Sequence, residues 1–195
     1  MPSRPRLASD LRRLVTAAMA LERRTMQLYC AFESQFSATG DLRAFWFEMA
    51  QHESRHFGAL ALVVSLLDSA SSRHLAVTRG LTRSRVDHLR RLLSRRLAEA
   101  RRGISVERAF AIALEVEGCE VDDVVLDLLE ALKGEAERER AVQVLIHDLG
   151  DLSYMIEKHT SDHALLARAD ALLERQVGRL RGGPAPPRRL RAVKR

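Results

Sequence analysis

Four long stretches of this chain set apolar residues at helical spacing, and each carries an acidic side chain on that same apolar stripe. In residues 9–36, which open at Ser9 as a candidate cap, Leu14, Ala18, Leu21, Met26 and Tyr29 share a face with Glu22. Residues 41–70 follow the break Ala38-Thr39-Gly40, with Asp41 as cap, and place Glu53 and His56 among Trp46, Met49, Leu60 and Val64. The third stretch opens at Ser105, runs to about Gly134, and sets Glu117 among Phe110, Ala113, Val121, Val124 and Leu128. The fourth starts near Glu135 and places Asp148 and Asp151 beside Leu145, Leu152 and Met155. It breaks near Thr160-Ser161-Asp162 and resumes toward Leu180. No stretch alternates cleanly over strand length, so an all-α chain is expected.

The lengths of the gaps predict the connectivity. Short gaps join the first pair and the second pair, which makes each an antiparallel hairpin, whereas residues 71–104 form a long crossover between them. That crossover holds one short extra helix, Arg83 to Arg102, with Val86, Leu89, Leu93 and Leu97 on one face. A helical domain over residues 1–180 is therefore expected, followed by a disordered basic tail over 181–195, where GGPAPPRR is too rich in Gly and Pro for a helix.

The net charge of +6 belongs to that tail: it holds six basic residues and no acid, and the remaining bases balance the 26 acids. Within the body, residues 79–102 carry nine arginines against two acids, and residues 107–151 carry thirteen acids against four bases. A basic tail can attract anionic partners, but there is no aromatic interleaving and no nucleic-acid motif, so nucleic acid is not an expected partner. The N-terminus lacks the apolar core of a signal peptide and no apolar run is long enough to span a membrane, so a cytoplasmic chain with no membrane association is expected. Two cysteines without a CxxC, Cys30 and Cys119, fit a reducing compartment and read as small buried hydrophobes. Glu115 reads as part of a solvated face.

An ionised carboxylate on a core face costs several kcal/mol, on the order of the effective penalty per buried ion, unless it is paired or coordinated. Four converging acids would also repel one another. Two divalent cations carry four positive charges, which would cancel Glu22, Glu53, Glu117 and one Asp. Glu53 and His56, three residues apart on one helix face, form a bidentate grip for such an ion. An internal repeat supports the same reading: a shift of 95 residues carries Glu22 to Glu117, His52 to His147, Glu53 to Asp148 and His56 to Asp151.

ALERRTMQLYCAF resembles the first helix of the rubrerythrin branch of the ferritin-like superfamily, FWFEMAQHESRHFGAL its second, and AFAIALEVEGCEVDDVV its third. The resemblance covers roughly residues 10–70 and 105–160 and includes no rubredoxin domain. It implies a ferritin-like four-helix bundle with a carboxylate-bridged centre of two iron ions, in which Glu22, Glu53, His56 and Glu117 match the family's ligands. Tyr29 would then stand beside the ligands as a hydrogen-bonding neighbour. The fourth helix departs from the family, offering Asp148-x-x-Asp151 in place of Glu-x-x-His, a harder and more anionic pair that favours manganese or a mixed metal in that half. The implied activity is oxidation of Fe(II) (ferroxidase) or reduction of hydrogen peroxide, with O2 or peroxide as oxidant. A peroxidase would draw on an external reductant, and a homodimer is expected. The altered fourth helix also leaves open a ferritin-like scaffold with a decayed site, binding a partner through its arginine-rich crossover or basic tail.

Overall fold

The computed structural model describes residues 4–68, 82–119 and 135–180. The expected tail, the start of the crossover and the latter part of the third stretch lie outside the described residues. Among the described residues there are six helices and no strand. They are α1 (Arg4–Gln35), α2 (Gly40–Asp68), α3 (Arg83–Ala100), α4 (Val106–Glu117), α5 (Glu135–His159) and α6 (His163–Leu180). None of them is long and apolar enough to cross a membrane.

The boundaries follow local chemistry. Thr82 caps α3 by accepting from the Arg85 amide, and Ser105 caps α4 by accepting from the Arg108 amide at 3.2 Å. Asp162 caps α6, its Oδ1 accepting from the amides of Ala164 and Leu165 at 2.9 and 3.0 Å. Ser9 is not a cap: α1 already begins at Arg4, because RPRLASD continues the helical rhythm upstream of it. Asp41 sits inside the first turn of α2, where its charge opposes the positive end of the helix dipole.

α1 packs along α2 as the first hairpin, and α3 lies against α1; α5 and α6 pack together, and α4 rests on both. The crossover helix is therefore a built part of the molecule, with Val86, Leu89, Leu92 and Leu93 buried. Glu115 is not idle surface either. Arg96 on α3 donates to both of its oxygens, at 2.7 and 3.0 Å, and donates to Glu99 at 2.9 Å. Arg108 donates to the other side of Glu99 at 2.6 and 3.0 Å. These bonds, Arg108's first, hold the Glu99 carboxyl down at about 2. Being partly exposed, such pairs are each worth at most about 1 kcal/mol, but the fork geometry of arginine fixes how α3 meets α4. Elsewhere, Asp41 ties the start of α2 to the end of α5 through Lys158 at 2.8 Å and His159 at 2.9 Å.

An aromatic block joins α1, α2 and α4. Trp46, fully buried, stacks on Tyr29 with centroids 5.8 Å apart and meets Phe32, Phe45 and Phe110 at 4.9, 4.8 and 5.3 Å. The expected burial of both cysteines fails at Cys30, which is exposed: it lies next to Tyr29, about 100° round the helix from that core position. The Trp46 indole N–H is buried without a hydrogen-bond partner. Truncation of Trp46 to Ala should therefore cost about 3–5 kcal/mol through the cavity it leaves. Trp46→Phe should cost less than about 1.5 kcal/mol, because it also removes an unmet donor. Urea unfolding of the two variants checks this pair of expectations.

Candidate metal centre

Glu22 lies two turns before Tyr29 on α1, and Glu53 and His56 lie one turn apart on α2. Since the two helices run side by side, the three side chains meet. His56 Nδ1 stands 3.8 Å from Glu22 Oε2 and 3.7 Å from Glu53 Oε2. One donor atom from each of the three lies within 4.8 Å of the other two, the one such group of three among the described residues. Glu22 and Glu53 are only 3% and 4% exposed, whereas the His56 side chain keeps a partial opening to solvent.

The electrostatics of the pair are those of two carboxyls forced together in a dry place. Burial pushes the Glu22 carboxyl well above its usual range. The neighbouring charge of Glu53 and a hydrogen bond between the two carboxyls push it further up, and Glu117 adds to the rise; His56 pulls the other way. Glu22 Oε1 is moreover buried with no hydrogen-bond partner. A buried oxygen without a donor, beside a second carboxylate and an imidazole, is the environment that a divalent cation satisfies. The residues therefore fit a metal.

Glu117 is the last residue of α4. It is buried, and its Oε1 accepts a hydrogen bond from the Tyr29 hydroxyl at 2.5 Å across 88 residues of sequence. Gly118 follows as the C-cap, its amide donating to the Leu114 carbonyl at 3.2 Å, and a Cβ at that position would come within 2.8 Å of the same oxygen.

Asp148 and Asp151 are not brought into this group. α5 turns Leu145, Leu149, Leu152 and Ile156 into the core, and its outward side carries Val144, His147 and Tyr154. Asp148 falls on the flank between the two. It is buried, and its Oδ2 lies 2.9 Å from His52 Nδ1 on α2. The Asp151 side chain is 49% exposed and lies 3.3 Å from His147 Nδ1. The pattern of buried acids thus follows the repeat in four places, while the metal-like cluster forms in the first half alone. His52 was visible in sequence only as the first half of the repeated His-acid dipeptide; its engagement with Asp148 depends on how α2 and α5 are rotated.

Glu22 gives a pH signature whose sign is fixed. Its carboxyl is raised in the folded chain, so its contribution to stability is fully present below the ordinary Glu range and is lost as pH rises through the raised value. In the metal-free chain, Glu22→Gln should therefore raise stability at pH 7 by about 1–3 kcal/mol and do little near pH 4. Thermal melts of both forms across that range are the check, with the gain at neutral pH amounting to roughly 2–4 °C per kcal/mol.

Comparison with protein-family models, with characterised proteins and with solved structures finds no match to this chain.

Proposed function

We propose that this chain is a ferritin-like, rubrerythrin-type helical protein that binds iron in its core and works as an oxidoreductase, oxidising Fe(II) or reducing hydrogen peroxide. The observation that carries the reading is the convergence of Glu22, Glu53 and His56 on the buried faces of one hairpin, with Glu117 entering from α4. In this reading α1, α2, α4 and α5 form the four-helix bundle, and α3 is the crossover. His56 would supply the nitrogen ligand, Glu22 and Glu53 the carboxylates beside it, and Glu117 would be the further carboxylate available to a second ion. Iron bound there supplies a one-electron couple at a place that O2 or peroxide can enter by the open side of His56.

The chain's own residues do the rest. Tyr29 holds Glu117 through its hydroxyl and so fixes which oxygen of that carboxylate faces the site. The block of Trp46, Phe32, Phe45 and Phe110 excludes water on the Tyr29 side of the ligands. With its carboxyl raised by burial and by Glu53, Glu22 would have to release a proton to hold a cation, so affinity for the ion would rise with pH. A peroxidase would draw on an external reductant, while a ferroxidase takes Fe(II) itself as substrate.

A second reading is favoured by the placement of Asp148 and Asp151: a scaffold that holds a single ion in the core and acts through a partner. Exposed Arg83, Arg85, Arg90, Arg91 and Arg95 on α3 supply the surface for it.

Anaerobic loading with Fe(II), followed by oxygen, separates the two. The leading reading expects two irons in the core, ferric absorbance in the near ultraviolet, and a stabilisation of about 2.7 kcal/mol at a hundredfold excess over the dissociation constant. Glu53→Ala should abolish all three. One core iron without oxidation supports the scaffold, and a parent chain that takes up no iron and melts unchanged removes both readings.

A further inference from the structure

Between α1 and α3 lies a cleft whose lining includes none of the core acids. It measures about 620 Å³, within the range of about 300–1,000 Å³ usual for small-molecule sites. The two helices run parallel: Arg24 on α1 donates to the Ser94 hydroxyl on α3 at 2.5 Å, and further along Gln35 donates to the Ile104 carbonyl just past the end of α3. The cleft takes one face of α1, from Asp10 to Arg24, and one stripe of α3, from Arg83 to Arg90. Its floor is apolar: Leu21 and Val86 are buried, while Leu14 and Ala17 are only half covered. Its rim is basic, with Arg13, Arg24, Arg83 and Arg90 against Asp10 and Asp87.

We propose that this cleft binds a small amphipathic anion of the fatty-acid class, with the carboxylate at Arg83 and the acyl chain laid on the floor of Leu14, Ala17 and Val86. The charges point to such a ligand. Each aspartate is already engaged on its own helix, Asp10 accepting from Arg13 and Asp87 lying 3.0 Å from the Arg90 guanidinium, both at a spacing of three residues. Four arginines against two aspartates leave two positive charges uncancelled. These fall on Arg24, whose partner Ser94 is a neutral hydroxyl, and on Arg83, which has no acidic partner among the described residues. The arginines where α3 meets α4 are in the opposite state: Arg96 and Arg108 are forked onto Glu115 and Glu99. On the cleft side the matching carboxylate is not supplied by the described chain, and the planar guanidinium of Arg83 suits one brought in by a ligand.

The lining selects among anions. A hydrated inorganic anion gains nothing from Leu14, Ala17 and Val86, whereas an acyl chain laid there takes both surfaces out of water. Single-stranded nucleic acid is held by aromatic side chains on which its bases stack, and the described lining has none. A bilayer is entered by apolar side chains that project. Here Leu14, Leu21 and Val86 are recessed between the exposed Arg13, Arg83 and Arg90. The exposed large hydrophobics of the described residues, Phe47, Leu62, Val144 and Tyr154, stand instead on α2 and α5.

The test titrates the full, metal-free chain with dodecanoate below its micellar concentration, read by calorimetry. One saturable equivalent is expected, with an affinity that falls as salt is added. Dodecanol, which keeps the chain and lacks the charge, and acetate, which keeps the charge and lacks the chain, should each bind at least about tenfold more weakly. Arg83→Gln, at an exposed helix end, and Ala20→Glu, which sets an acid on the exposed edge of the cleft, should each lower dodecanoate affinity by at least about tenfold. Arg91→Gln, on α3 but outside the cleft, should leave it at the parental value, as should Glu53→Ala, so the cleft and the core are judged separately. A parent chain that shows no saturable binding overturns the proposal, as does dodecanol binding as tightly as dodecanoate, or parental affinity in both cleft variants. Sedimentation with vesicles of anionic phospholipid, without uptake of monomeric dodecanoate, assigns the basic flank to a membrane surface and overturns it as well.

Discussion

The interior of this protein is organised around a carboxyl group that has lost its water. Glu22 is buried in α1 against Glu53 in α2, and every means of relieving that situation involves a neighbour: a shared proton, the imidazole of His56, or a cation. The hydrophobic block around Trp46 makes the cost large by keeping solvent out, and it holds the two helices in the register that brings the acids together. A chain selected for stability alone would place a leucine or a methionine at these positions. Retaining two acids there is a cost in stability, and a cation between them would offset it.

The remaining helices support that hairpin in different ways. α3 covers α1 with an apolar stripe and then fastens to α4 through the Arg96–Glu115 fork and the Arg108–Glu99 pair. This fixes where α4 ends, and so where Glu117 enters the core. α5 is held to α2 at Asp41, whose carboxyl is kept near 2, Lys158 first, by its partners at the far end of the helix. Both attachments are made by partly exposed charge, while the packing between the helices is decided by burial. Exposed pairs are weak in energy and strong in geometry, and here geometry is what the interior acids need.

Much of the helical layout was legible in the chain because period and punctuation agree: Ser105, Gly103 and the Thr160-Ser161-Asp162 break stand where helices begin and end. Glu22, Glu53, His56 and Tyr29 were legible for a related reason, since each is a polar group repeated at core spacing on a strongly apolar stripe. The side of α5 that carries Asp151 was not legible. It lies three positions on from Asp148, a step that leaves both near one stripe in projection. The buried leucines at 145, 149 and 152 decide which flank is covered. Glu115 was misjudged because its partner Arg96 lies 19 residues away on the crossover, a pairing that no local pattern announces.

Glu117 differs from the other core acids in where its backbone stands. Glu22 and Glu53 sit mid-helix, with hydrogen-bonded turns on both sides, and their Cα positions cannot shift without bending a long rod. Glu117 closes α4, and just beyond it the Gly118 and Cys119 amides donate back to the Leu114 and Val116 carbonyls at 3.2 and 2.9 Å. The core thus holds two acids in mid-helix and one at a helix end, where the Tyr29 hydroxyl binds it. A change of charge between these acids therefore meets mid-helix backbone at Glu22 and Glu53 and a helix end at Glu117, where a Tyr29 hydroxyl already donates to the carboxylate.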